Sequence, residues 1–94
     1  MTARTLNQIR DNIRRRQYVL TLHAEEEMDN DGLSIFDVES IILTGEIVEQ
    51  QRDRATREVK YLIRGDTLAP KQQGVVVAKF GMTGKLVILT VYAK

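Results

Sequence analysis

A single histidine, His23, stands two residues ahead of three successive glutamates, Glu25, Glu26 and Glu27. Histidine is the side chain whose unperturbed titration lies near neutral pH, so His23 can serve as a general acid or base. A capping or plain surface histidine fits the same place, because no partner motif accompanies it. A second group of chemically capable residues lies in the C-terminal half. Lys60 and Arg64 are in phase on one alternating segment, Lys79 and Lys85 flank a turn, and Tyr61 and Tyr92 add hydroxyl-bearing rings. Cations of this kind hold a phosphodiester and stabilise the charge that grows in its transition state. Aromatic rings stack unpaired bases. Ordinary solvent-facing Lys and Arg on an outer face produce the same pattern. Arg64 is the strongest of these candidates, since it interrupts an otherwise apolar strand.

Other chemistries find no support. There is no Cys and only one His, which removes disulfides, thiol nucleophiles and Cys-ligated zinc. The acidic run from Glu25 to Asp31 lacks the Asp-x-Asp-x-Asp-Gly pattern and closing Glu of a calcium loop. No phosphate loop, dinucleotide fingerprint or Gly-x-Ser-x-Gly elbow is present. The expectation is therefore a protein without metal or cofactor.

The elements that must position these residues follow from periodicity. Thr5 and Gln8 have capping-box spacing, and Leu6, Ile9 and Ile13 form one apolar stripe, predicting a first helix with Arg10 and Arg14 on one face. Tyr18-Val19-Leu20 reads as a short apolar connection. Thr21 caps a second helix through Met28, stopped by Gly32. Ser34 and Asp37 cap a third, whose buried stripe is Ile35, Val38, Ile41 and Ile42, and which Gly45 ends. After Gly45 the period changes to two. Strands are predicted over 46–51, 58–64, 75–80 and 85–92, the last two joined by the turn Gly81-Met82-Thr83-Gly84. On the last strand Leu86, Ile88, Thr90 and Tyr92 should share one face. The expected fold is α+β: a single domain, 1–94, with three N-terminal helices on one face of a four-stranded antiparallel sheet. Ile9, Ile13, Val38, Ile41, Ile42, Val77, Ile88 and Leu89 should form the core, leaving the other sheet face open to a ligand.

Ninety-four residues suit one domain, and 43% hydrophobic with 29% charged residues describe a globular chain, not a disordered one. No apolar run approaches the ~18 residues of a membrane helix. Met1-Thr2-Ala3-Arg4-Thr5 turns polar at once, unlike a signal peptide, so a cytoplasmic location is expected. The net charge of +1 conceals a segregation: residues 1–22 carry +4, residues 23–50 carry nine acids and no Lys or Arg, and residues 51–94 carry +6. The acidic stretch is a surface on which a basic partner could dock at close range.

A family likeness joins these features. Tyr18 to Ala24, Met28, Gly32-Leu33-Ser34, Lys60 to Gly65, Val75 to Ala78 and Val87 to Tyr92, in this order, resemble the domain of unknown function 4258 family. The family looks like a branch of the RelE-like small ribonuclease toxins, with the barnase-EndoU-colicin-RelE type of fold. The Arg-rich first helix, the Gly-Leu-Ser cap and the terminal strand also resemble MqsR-type interferases. The resemblance implies the toxin of a type II toxin-antitoxin pair: an mRNA endoribonuclease, free or ribosome-dependent, in which the RNA 2′-hydroxyl attacks the adjacent phosphate without metal. It would carry over His23, Arg64, Thr90 and Tyr92 as site residues, His23, Arg64 and Tyr92 as catalytic and Thr90 on the RNA beside Lys60, Tyr61, Lys79 and Lys85, the candidates read above from the strands. It also implies a YgiT/MqsA-type zinc-finger antitoxin as partner. The family pattern places Arg near positions 27 and 31, where this chain has Glu27 and Asp31. A non-catalytic RNA- or protein-binding module on the same fold is the alternative.

Overall fold

The structure is a computed structural model that describes residues 3–94. The leader reading rests partly on Met1 and Thr2, which lie outside the described residues. Three helices precede the main sheet: α1 (Ala3–Arg14), α2 (Leu22–Asp31) and α3 (Ile35–Thr44). Between α1 and α2 runs a strand, β1 (Tyr18–Leu20). Then follow β2 (Glu46–Arg52), β3 (Val59–Asp66), β4 (Gln73–Phe80) and β5 (Leu86–Ala93).

The caps explain the helix boundaries. Thr21 accepts a hydrogen bond from the Ala24 amide and starts α2; Gly32, at φ 68°, ends it. Ser34 and Asp37 form a reciprocal capping box on α3. Asp37 also accepts from the Leu68 amide at 2.9 Å, tying the helix start to the β3–β4 loop. Burial opposes its ionisation, but the bonds from Ser34 and Leu68 outweigh that and hold the carboxyl below its usual value. Thr5 lies within α1, not at its cap, and Gln8 donates to Asn12 at 3.1 Å.

The sheet corrects the expected architecture. It has five strands in the order β1-β5-β4-β3-β2, and β1 pairs parallel to β5. The four long strands form the expected antiparallel meander. Tyr18-Val19-Leu20 is a strand and not a connection. Three residues carry no readable period, and their partners, Leu86 to Ile88, lie far along the chain.

A bulge in β5 corrects a second expectation. The register against β4 shifts between Val77 and Ala78, leaving Leu89 as the extra residue. Leu86 and Ile88 therefore face the helices, while Thr90 and Tyr92 face away. The core holds Ile9 and Ile13 of α1, Ala24 and Met28 of α2, and Val38, Ile41 and Ile42 of α3. These meet Ile63, Val76, Ala78, Leu86, Ile88 and Val91 of the sheet. Val77 and Leu89, both expected in the core, are only partly buried: Val77 lies on the far face and Leu89 is the bulged residue.

Where α3 runs out onto the sheet, two glycines permit contact. A Cβ on Gly65 would collide with the Ile41 carbonyl and with Gly45, and one on Gly45 would collide with the same carbonyl and with Arg64. Gly45 is extended, at φ −92°, so it ends the helix by allowing close approach and not by left-handed geometry. Arg10 completes this corner by donating to the carbonyls of Ile42 at 3.3 Å and Gly45 at 2.7 Å. It satisfies the orphan carbonyls at the end of α3.

Candidate functional site

Alternation and register place the candidate residues on definite faces. Opposite the helices, Glu46, Arg64, Val75 and Tyr92 form one cross-strand row, and Glu49, Leu62, Val77 and Thr90 form the next. One step further, Gln51 pairs with Lys60, and Lys79 pairs with Val87. Lys60, Arg64, Lys79, Thr90 and Tyr92 thus share the open face. Its floor is apolar. Val75 is only 3% exposed although it lies outside the core cluster, flanked by Arg64 and Tyr92. Adjacent strands lie about 4.8 Å apart, so the Arg64 and Tyr92 backbones are roughly 10 Å apart across β4.

Tyr61 and Lys85 stand elsewhere. Tyr61 is on the helix side, edge-on to Phe80 with ring centroids 6.1 Å apart. Lys85 is exposed just after the β4–β5 turn.

The charge on the open face is graded. Around Arg64 a recess of about 270 Å³ is lined by Thr44, Glu46, Asp66 and Gln73 among others. Arg64 donates through Nε to Gln73 at 3.0 Å, and Gln73 donates to Asp66 at 3.3 Å. Two carboxylates therefore neighbour this cation. At the other end Lys60 and Lys79 stand close to the β2–β3 hairpin. Lys79 is paired with Glu58, whose carboxyl is held below its usual range by that hydrogen bond and charge.

His23 lies on α2, outside the open face. Its side chain is 67% exposed, and Nε2 is 3.3 Å from Glu27 Oε1. The same Glu27 oxygen accepts from the Val91 amide at 3.1 Å, and Asp31 accepts from the Ala93 amide at 2.8 Å. β1 covers only the first three residues of β5. Beyond it, Thr21 donates to the carbonyls of Ile88 and Leu89, and the two acids take the next free amides. Glu27 and Asp31 thus continue the work of a missing strand, which gives these two acids a structural role. The spacing of four residues was visible in the sequence; the strand edge it serves was not.

The acidic stretch as a whole is only partly a free surface. Asp37 caps α3, and Glu39 accepts from the Tyr18 hydroxyl at 2.6 Å. Burial, then the bond and charge of Glu39, push Tyr18 up to about 12. Glu25, Glu26 and Asp29 remain exposed on α2. Among the described residues no three His, Asp or Glu side chains converge as a metal site, and no helix is long and apolar enough to cross a membrane. The sequence reading passed over Arg52, Arg54 and Arg57, three cations in six residues at a polar turn.

The family model described as Domain of unknown function (DUF4258) matches residues 20–93. No curated protein and no solved structure matches the chain.

Proposed function

The chain belongs to the DUF4258 family, and on that premise we propose that it is an RNA-binding protein that holds single-stranded RNA against the open face of its sheet. The observation carrying this reading is the shared face of Lys60, Arg64, Lys79, Thr90 and Tyr92 over an apolar floor of Leu62, Val75 and Val77. Lysines hold phosphates, and a tyrosine ring stacks a base at about 1–3 kcal/mol. Thr90 offers a hydroxyl that can donate to or accept from a ribose.

A second reading goes further: metal-independent cleavage through the RNA 2′-hydroxyl, as in a toxin whose antitoxin is a YgiT/MqsA-type zinc-finger protein. The row shared by Arg64 and Tyr92 favours it, because one strand of RNA crossing β4 can meet both side chains. In this reading Arg64 stabilises the phosphorane charge, while solvent takes the 2′-hydroxyl proton and protonates the leaving 5′-oxygen, because His23 lies on α2 outside the open face.

Fluorescence anisotropy with labelled single-stranded RNA tests the first reading. Binding should weaken with salt, and Lys60→Ala and Tyr92→Ala should each reduce it. No binding at low salt overturns it. Incubation of the same RNA, with and without ribosomes, tests the second. Products ending in a 2′,3′-cyclic phosphate, reduced about 10²–10³-fold by Arg64→Ala and little changed by His23→Ala, are expected. RNA that is bound but left uncut retires the enzyme and leaves the binding module.

A further inference from the structure

The β2–β3 hairpin carries a concentration of unpaired positive charge beyond the open face. Residues 51–60 contain Arg52, Arg54, Arg57 and Lys60 against Asp53 and Glu58. Both acids are engaged. Asp53 Oδ1 accepts from the amides of Ala55 at 2.8 Å and Thr56 at 3.1 Å, which hold its carboxyl below the usual range. Glu58 pairs with Lys79. Arg52, Arg54 and Arg57 are exposed and make no side-chain hydrogen bond or ion pair among the described residues. Arg10, Arg14 and Arg64 differ: Arg10 caps a helix, Arg14 lies 3.4 Å from Asp11, and Arg64 is braced by Gln73. Arg4, Arg15 and Arg16 are exposed like the hairpin arginines but belong to α1 and its end, away from both recesses.

Two further features mark the hairpin. A recess of about 210 Å³ is lined by Gln51, Arg52, Asp53 and Lys60, bringing two cations to one hollow. Asp53, the one acid there, has an oxygen committed to the turn amides. Arg57 adopts φ 63°, a left-handed conformation that costs a non-glycine residue about 1–2 kcal/mol. The turn holds it there through the Arg57 amide, which donates to the Asp53 carbonyl at 2.8 Å. A glycine would relieve the strain; an arginine there adds a cation to an already basic turn.

We propose that the tip of this hairpin is a phosphodiester-binding site. Arg52 and Lys60 grip one phosphate in the recess, and Arg54 and Arg57 grip its neighbours. This rests on the RNA reading above and gives the strand a direction: it enters at the hairpin and runs along β3 towards Arg64, roughly 13 Å from Lys60. The charged tip supplies affinity, while the apolar floor and Tyr92 meet the bases.

The test measures binding of a single-stranded RNA of about 16 nucleotides over a range of KCl concentrations. The wild type is compared with an Arg52→Gln/Arg54→Gln/Arg57→Gln triple variant and with Tyr92→Ala, all shown by circular dichroism to be folded. Each phosphate contact to a single strand adds about 0.7 to the slope of log K against log salt. Lys60 still holds the phosphate shared with Arg52, so the triple variant should lose a slope of about 1.4, whereas Tyr92→Ala should weaken binding with the slope unchanged. An unchanged slope in the triple variant overturns the hairpin site and leaves the open-face reading intact. A reduced slope there, with no effect of Tyr92→Ala, supports the hairpin and overturns the open face. Absence of RNA binding, with vesicles containing phosphatidylserine bound through the same arginines, assigns the tip to a lipid surface and overturns the proposal.

Discussion

One carboxylate oxygen of Glu27 lies 3.3 Å from Nε2 of His23 and accepts the Val91 amide at 3.1 Å. The only histidine and the last strand are thus joined through a single acid. Val91 is buried, so removing its acceptor leaves a buried amide unpaired. Glu27→Ala should lower stability by about 1–3 kcal/mol in urea unfolding. Glu27→Gln, which keeps an oxygen in place, should lose less. Equal stability of Glu27→Ala and wild type would show that the amide finds water or another partner.

Tyr18 sets an alkaline limit. Its hydroxyl donates to Glu39, and its pKa is raised from 10.0 to about 12. Because the folded value is raised, the neutral form is the one the fold favours. That stabilisation is complete below pH 10 and is lost as pH rises from about 10 to about 12. Unfolding midpoints measured from pH 9 upwards should fall less steeply for Tyr18→Phe than for wild type across this window. Parallel curves would remove Tyr18 as the cause.

Gly65 tests the corner between α3 and the sheet. Its α-hydrogen faces the Ile41 carbonyl and Gly45, both backbone groups that cannot swing aside. Gly65→Ala should cost about 1–3 kcal/mol or more through overpacking. Gly84→Ala is the contrast: no atom lies near its Cβ position, and its penalty comes from φ 87° alone. A tolerated Gly65→Ala, judged by thermal unfolding, would mean that the helix end can lift away.

Glu58 offers a gain-of-function check. It neutralises Lys79 on the open face. Glu58→Gln frees that cation, so affinity for single-stranded RNA should rise about two- to fivefold at low salt and converge with wild type at high salt. A fall in affinity would show that the pair acts by positioning Lys79.

Most of the helical layer was legible because its signals are local. Thr21, Ser34, Asp37 and Gly32 cap where their spacing says they should, and Val38, Ile41 and Ile42 bury the stripe they form. The faces of β3 were likewise legible: Lys60, Leu62 and Arg64 stand opposite Tyr61 and Ile63. What escaped was non-local. A three-residue strand takes its identity from partners at Leu86 to Ile88, and a bulge at Leu89 reverses Thr90 and Tyr92 without altering the alternation of types. Arg10 shares a helix face with Arg14, yet one is a structural cap and the other a surface charge. Only the third dimension separates them.

The two borders of the sheet are treated differently. β5 is sealed along its outer side by β1, Thr21, Glu27 and Asp31. β2, at the far border, has β3 as its one neighbouring strand among the described residues, and it leaves Val48 56% exposed. Unpaired strand edges are templates for further strands. On the β5 side the terminal strand is β1, only three residues long, and the acids of α2 occupy the amides of β5 that it leaves uncovered. On the β2 side the register slips between Ile47 and Glu49, so Val48 is a bulge that bends the edge away from a straight partner. Each flank of this small sheet is thus interrupted by its own means, one by brevity and borrowed carboxylates and the other by a kink, and neither presents a long straight run of backbone for another chain to extend.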